Sequence, residues 1–256
     1  MSESIKNIII VGYPKSGTTW LTRLVADLLQ CPIKGNWGFD DPDQPIIEGA
    51  DRESEFACYK SHHIYDELNQ VSTGSIFKII YLIRDPRDVV VSGTNFFAHD
   101  YNLRGIKAIL SKMYNLVKGT KTVKEQMVQA VLKGNESLDK WCKVSWQKHY
   151  LPYHSNKALF VQFEKLVADP IDECSAILNY LSLNKTDMEI QETINRQSFK
   201  NKKNQASITN DRFENHLLRK GRYGYWRKEF NRKQKQLFLD YLKNDLLFKK
   251  LYLDGA

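Results

Sequence analysis

The 256-residue chain predicts an α/β fold of the phosphate-loop type, with three layers and a central parallel sheet flanked by helices. Three observations carry that reading. Short β-branched runs without polar alternation, as strands buried on both faces require, alternate with stretches of helical periodicity. The first such run ends in a glycine loop that leads straight into a helix, which is how a βαβ unit opens. No internal repeat or linker breaks the pattern, so residues 1–256 read as one domain.

Taken in order, Ile8-Ile-Ile-Val11 is the first strand and Gly12 ends it. Leu21, Leu24, Val25, Leu28 and Leu29 then recur at helical spacing until Cys31-Pro32. Phe56 to Lys60 and Phe77 to Ile83 are further buried strands, and Pro86 opens a helix through Val89, Val90 and Val91, since proline is tolerated in a first turn. Residues 103 to 150 read as helical: Val123, Met127 and Val131 repeat by four, and Leu138, Trp141, Cys142, Ser145 and Trp146 form one face. Lys157 to Phe163 is another strand. Asp169-Pro170 caps an amphipathic helix carrying Ile171, Cys174, Ile177, Leu178 and Leu181, and Thr186-x-x-Glu189 is a capping-box start. Residues 198 to 216 are polar and lack periodicity, which predicts a long loop. A last helix carries Leu237, Phe238, Tyr241, Leu242 and Leu246.

Composition sets the class. Hydrophobic residues at 42% and charged residues at 27% fit an ordinary folded protein and exclude disordered or collagen-like chains. Lysine plus arginine number 38 against 30 acidic residues, a formal charge of +8 that fits either an anionic partner (nucleic acid, membrane surface or small polyanion) or simply a solvated basic surface. Cys31, Cys58, Cys142 and Cys174 show no C-x-x-C pair and no histidine at ligand spacing, so no metal site and no disulfide framework is expected. The apolar run at Ile8 is too short for a signal segment or a membrane span, and a soluble, cytoplasmic protein is the expectation.

The chemistry starts at Gly12-Tyr-Pro-Lys15-Ser16-Gly17-Thr18-Thr19-Trp20, between the first strand and its helix, where backbone N–H groups and the helix dipole attract an anion. Compared with the nucleotide loop G-x-x-x-x-G-K-S/T, both glycines are present, but Thr18 occupies the lysine position and the lysine has moved back to Lys15. The usual γ-phosphate clamp is missing. A lysine earlier in the loop can still neutralise charge on a bridging or leaving oxygen, with Thr18 and Thr19 as further donors.

That run resembles the phosphosulfate loop of the cytosolic sulfotransferases, which use 3′-phosphoadenosine 5′-phosphosulfate (PAPS) as donor. Other segments follow in the family's order. Tyr81-Leu-Ile-Arg84-Asp-Pro-Arg-Asp88-Val-Val-Val-Ser92 is similar to its second motif, which places Arg84 and Ser92 on the 3′-phosphate, a role suited to a planar guanidinium. Arg219-Lys220-Gly221 followed by Gly224-x-Trp226 resembles the R-K-G-x-x-G-D-W segment that grips the same group. For the adenine, the resemblance points to Trp20 and to Phe163 in place of a tyrosine, and the pair Ser198-Phe199 resembles one that contacts both the base and the 3′-phosphate, with core packing as the other use of each aromatic. Lys60-Ser61-His62 resembles the family's K-S-H: His62 as general base, Lys60 beside the transferring group. His63 has no matching role and reads as a surface or satisfied loop histidine.

The resemblance implies transfer of a sulfuryl group from PAPS to a hydroxyl, less often an amine, of a small acceptor, with Lys15 balancing charge, no metal, and Phe96 at the acceptor pocket. Nucleic acid and membrane are not expected partners. Departures lie in Tyr225, which replaces the aspartate of G-D-W, in Phe163, and in Arg227 to Gln236, which does not match the family's dimer motif and so implies a monomer or a different dimer. The segment before the first strand and that from Trp20 to Lys60 are shorter than in the family, which implies a different acceptor pocket. The alternatives are a phosphate-loop small-molecule kinase, which needs magnesium and a lysine where Thr18 stands, a nucleic-acid-binding module, and the membrane-anchored carbohydrate sulfotransferases.

Overall fold

The computed structural model describes residues 6–38, 48–72, 77–100, 122–208 and 221–253. It divides into two compact units, Met1–Arg84 with His149–Arg222, and Asp85–Lys148 with Tyr223–Ala256.

The first unit holds a five-stranded, wholly parallel sheet in the order β2-β3-β1-β4-β5: β1 Lys6–Val11, β2 Ile33–Asn36, β3 Phe56–Ser61, β4 Phe77–Ile83 and β5 Leu159–Gln162. In β1, Ile8 to Val11 are buried on both faces, as a run without polar alternation requires. Ile8, Ile10, Cys58, Ile80, Leu82 and Val161 share one core with Leu21, Leu24, Val25 and Leu28 of α1 (Thr18–Leu28) and with Cys174, Ile177 and Leu178 of α7 (Pro170–Tyr180). On the opposite face, Tyr81 of β4 packs against His149 and Tyr153 of α5 (Trp146–Ser155), with ring centroids 5.8 and 5.1 Å away. Helices therefore cover both faces of the sheet. Strand ends are level, with Val11 paired to Ser61 on one side and Tyr81 on the other, so the segments after β1, β3 and β4 emerge side by side.

The caps written in the sequence form. Asp169 accepts from Asp172 N at the start of α7, and Thr186 and Glu189 close a reciprocal box on α8 (Asp187–Arg196). Short elements outside the periodicity reading include β2, whose Gly35 takes a positive φ, α2 (Tyr65–Val71) and α10 (Trp226–Glu229). Phe163 is the first residue of α6 (Phe163–Ala168), one step past the strand expected to contain it.

The polar segment from 198 is a correction: Phe199–Ile208 is a helix, α9, where a loop was expected. Ser198 Oγ accepts from Asn201 N at its start, and Lys202 Nζ lies 2.8 Å from Glu48 Oε1, so capping and charge supply what an apolar stripe normally would. Residues 209–216 lie outside the described residues.

In the second unit, α3 (Pro86–Asp100) packs on α4 (Val123–Lys133) at Gly93, where a Cβ would fall inside the Met127 side chain. The expected helix over 103 to 150 is also corrected across its described part. Gly134, at φ 89°, ends α4; Leu138 lies in a turn, Lys140–Cys142 is a short 3₁₀ segment, and Trp146 opens α5. The last helix is two, α11 (Arg232–Leu242) and α12 (Leu246–Tyr252), divided because Asp245 accepts from Phe248 N and starts a new turn. All four cysteines are free thiols, with Cys31 and Cys58 Sγ 3.5 Å apart.

Candidate active site

The loop after β1 requires its glycines at both ends. A Cβ on Gly12 would lie 2.8 Å from the Leu82 carbonyl oxygen and 2.9 Å from Thr18 Cγ2. Gly17 caps α1 at φ 104°, and a Cβ there would meet the Phe163 ring at 2.9 Å. Lys15 also has a positive φ, 71°. Backbone turned this way suits an anion at the positive end of the α1 dipole, although the Ser16 N–H is already used by the Tyr13 carbonyl at 3.1 Å. Ser16 is wholly buried, and its Oγ has no hydrogen-bond partner among the described residues. Buried hydroxyls are normally paired, so this one fits a loop built around a further acceptor.

β4 delivers Arg84 to the same loop. Its Nη1 donates to the Lys15 carbonyl and its Nη2 to the Arg222 carbonyl, each at 3.2 Å, while the guanidinium lies 4.1 Å over the Phe163 ring. Two carbonyls orient the group. Phe163 is buried beneath Gly17 and Arg84 and meets Trp20 edge-on at 5.9 Å. Trp20 is itself aimed by a bond from its Nε1 to the Gln197 carbonyl, 2.9 Å. Ser198 caps α9, Phe199 is its first residue, and Gly221 turns at φ 52° close enough that a Cβ would sit 2.6 Å from the Phe199 ring. Arg219 and Lys220 lie outside the described residues.

β3 supplies the second part. Lys60 Nζ donates to Thr19 Oγ1 at 3.4 Å. Burial, and then the charge of Arg23, hold its ammonium below the ordinary lysine range. His62 stands one step past the strand, with Nδ1 2.7 Å from the Gly12 carbonyl. A carbonyl only accepts, so Nδ1 carries the proton and Nε2 the lone pair of the neutral ring. Burial first, and then Lys60, push the His62 pKa well below the usual histidine value against the opposing bond to Gly12, so the ring is neutral near pH 7. His63 is buried, not on the surface: its Nδ1 lies 2.9 Å from Ser61 Oγ and its carbonyl accepts from Tyr153.

In the second unit, Ser92 and Phe96 lie four residues apart on α3, hence on one face, and Phe96 meets Phe97 edge-on at 5.3 Å. Sequence reasoning passed over the neighbours that organise this unit's share of the motifs. Asp88 accepts from the N–H groups of Gly224 and Trp226. Arg87 pairs with Asp85 through Nε and Nη2 and lies 3.7 Å over the Trp226 ring. The alternating charges of Arg84-Asp-Pro-Arg-Asp88 were the available signal.

A loop shaped for an anion, with a lysine and a neutral histidine on the neighbouring strand, has its counterpart among known proteins: the sulfotransferase domain model matches residues 6–252. The chain belongs to the sulfotransferase family. Among curated sulfotransferases, mouse (Mus musculus) sulfotransferase 2A6 is 29% identical over 253 residues, covering 91% of this chain and 81% of the relative. Cytosolic sulfotransferase 3 of Arabidopsis thaliana is 26% identical over 242 residues, covering 86% and 70%. The crystal structure of mouse sulfotransferase SULT7A1 complexed with PAP superposes with a TM-score of 0.67 at 23% identity, covering 96% of this chain and 87% of that one, and establishes the sulfotransferase fold. Among the described residues no helix is long and apolar enough to cross a membrane.

Proposed function

We propose that this sulfotransferase moves the sulfuryl group of PAPS, in line, to a hydroxyl of a small acceptor, with His62 as general base. The observation that carries the reading is the bond from His62 Nδ1 to Gly12, which ties the proton acceptor to the anion loop itself. The mouse structure, solved with PAP, supports the choice of nucleotide. So does the local chemistry: the unpartnered Ser16 hydroxyl, two glycine walls with no room for a side chain, and Arg84 held over Phe163 suit an anion in the loop.

The donor, when bound, supplies an activated sulfuryl group on a phosphate leaving group. His62 Nε2 accepts the acceptor's hydroxyl proton, and the strand-end position keeps the ring from turning away. Lys60, buried and near Arg23, is readier than an exposed lysine to share a proton with a departing oxygen. Lys15, the Ser16 hydroxyl and the N–H groups of Gly17, Thr18 and Thr19 stabilise charge without reorganising. Trp20 and Phe199 flank the base of the nucleotide, with Phe163 backing the loop, while Arg84, Ser92, Ser198 and the Arg219-Lys220-Gly221 segment serve the 3′-phosphate. Phe96 belongs to the acceptor side. Thr18, where a phosphate-loop kinase needs lysine, sets the kinase alternative aside.

A screen of phenols, alcohols, sterols, amines and sugars with labelled PAPS tests the reading and identifies the acceptor. Transfer to at least one hydroxyl compound is expected. Phosphoryl transfer from ATP and magnesium, with none from PAPS, overturns it.

A further inference from the structure

The sheet face opposite α1 carries polar groups that the transfer reaction does not itself require. His149 of α5 is fully buried. Its Nε2 lies 3.1 Å from the His62 carbonyl oxygen and its Nδ1 2.9 Å from Tyr81 Oη. The carbonyl can only accept, so Nε2 is the protonated nitrogen and Nδ1 accepts from the tyrosine. One helical turn on, Tyr153 Oη donates to the next carbonyl, that of His63, at 2.8 Å. Two residues at i and i+4 thus hold two consecutive carbonyls of the segment that carries the base. The groups facing His149 include Tyr13, Tyr81, Tyr153 and His62.

We propose that His149 is a positioning residue for His62: together with Tyr153 it clamps the His62-His63 backbone from α5, while Gly12 fixes the ring, so that Nε2 of His62 is presented at one place. The proposal rests on the sulfotransferase reading for its consequence and on the hydrogen bonds for its geometry. Without the clamp the ring remains but wanders, and misplacement of a reacting group by about 1 Å is known to cost about 100-fold in rate.

The test compares His149→Phe, which keeps a ring and loses both bonds, with His149→Gln, whose amide nitrogen can still reach the His62 carbonyl. Turnover of the best acceptor from the screen should fall about 10- to 100-fold in His149→Phe with PAP affinity within about twofold of wild type, and His149→Gln should recover most of it. In a His62→Ala background, His149→Phe should change the residual rate by less than about twofold, because a residue that acts through His62 has nothing left to position. An equal loss in both backgrounds, loss of PAP affinity in step with turnover, or a Gln variant as poor as Phe overturns the proposal. Nitrogen NMR of the histidine rings decides independently of activity. Wild type should show His149 as the Nε2–H tautomer and His62 as the Nδ1–H tautomer, with His62 Nδ1–H exchange at least about tenfold faster in His149→Phe. Unchanged exchange sinks the clamp; the NMR result with no transfer to any acceptor sinks only the reaction.

Discussion

At the level of single residues, the two adjacent histidines separate cleanly. His62→Ala should lower turnover by about 100- to 10,000-fold, the usual worth of a general base, with PAP affinity nearly unchanged by calorimetry. His63→Ala should instead cost stability, about 1–3 kcal/mol, because Ser61 loses its buried partner, while turnover per folded molecule stays within about threefold. The reverse pattern would move the base to His63. The pH dependence follows from the depressed His62 pKa. The folded protein resists protonating this ring, so the acid limb of kcat/KM should fall below about pH 6.5, the value of an unperturbed histidine. The sign for stability is the same: the unfolded chain takes up the proton first, so stability present above about pH 6.5 is lost as pH falls through that value. An acid limb above pH 7 would contradict the assignment.

Among the elements, the anion loop is specified by close approach more than by any side chain it presents. Gly12→Ala would press a methyl against the Leu82 carbonyl, a backbone atom that cannot step aside, and should destabilise by about 1–3 kcal/mol. Gly17→Ala adds a left-handed residue to a contact with the Phe163 ring, and should also weaken PAP binding at least about tenfold by tilting the start of α1. Denaturant midpoints and calorimetry on the two variants measure both effects, and an unchanged Gly12→Ala midpoint would show that β4 yields more easily than a paired strand should. α9 illustrates the opposite kind of element. With no apolar stripe, it is held by the Ser198 cap on Asn201 and by Lys202 beside Glu48, and the second of these partners lies outside any sequence window over 198–216.

For the molecule as a whole, the formal charge of +8 acts at a distance. Association of PAP, a small polyanion, should slow steeply with added salt, since the screening length shrinks from about 10 Å at 0.1 M to about 3 Å at 1 M. Stopped-flow binding at a series of ionic strengths checks this, and a flat dependence would mean that the charge is spread without focus. Charge on the donor is balanced in this reading by Lys15, Lys60, Arg84 and loop amides. Sulfuryl transfer should therefore persist in EDTA, and its abolition by the chelator, with restoration by magnesium, would give that work to a metal.

What the amino-acid sequence determined by itself was everything with a short period or a fixed spacing: the buried strands from Ile8, Phe56 and Phe77, the glycines of the anion loop, Pro86 at the start of α3, the Asp169 and Thr186 caps, and the order in which loop, lysine, histidine and arginine appear. These signals are local because pleat, helical turn and cap each span only a few residues. Tertiary structure decided the rest. Which nitrogen of His62 holds the proton depends on Gly12, fifty residues away, and the placing of its backbone on His149, eighty-seven residues away. Phe163 became the floor of the loop because β5 ends beside β4, and α9 is tied to its surroundings by Lys202 on Glu48, 154 residues away. Such partners meet only after the parallel sheet has brought distant strand ends level, and no local pattern records which polar atoms will then face each other.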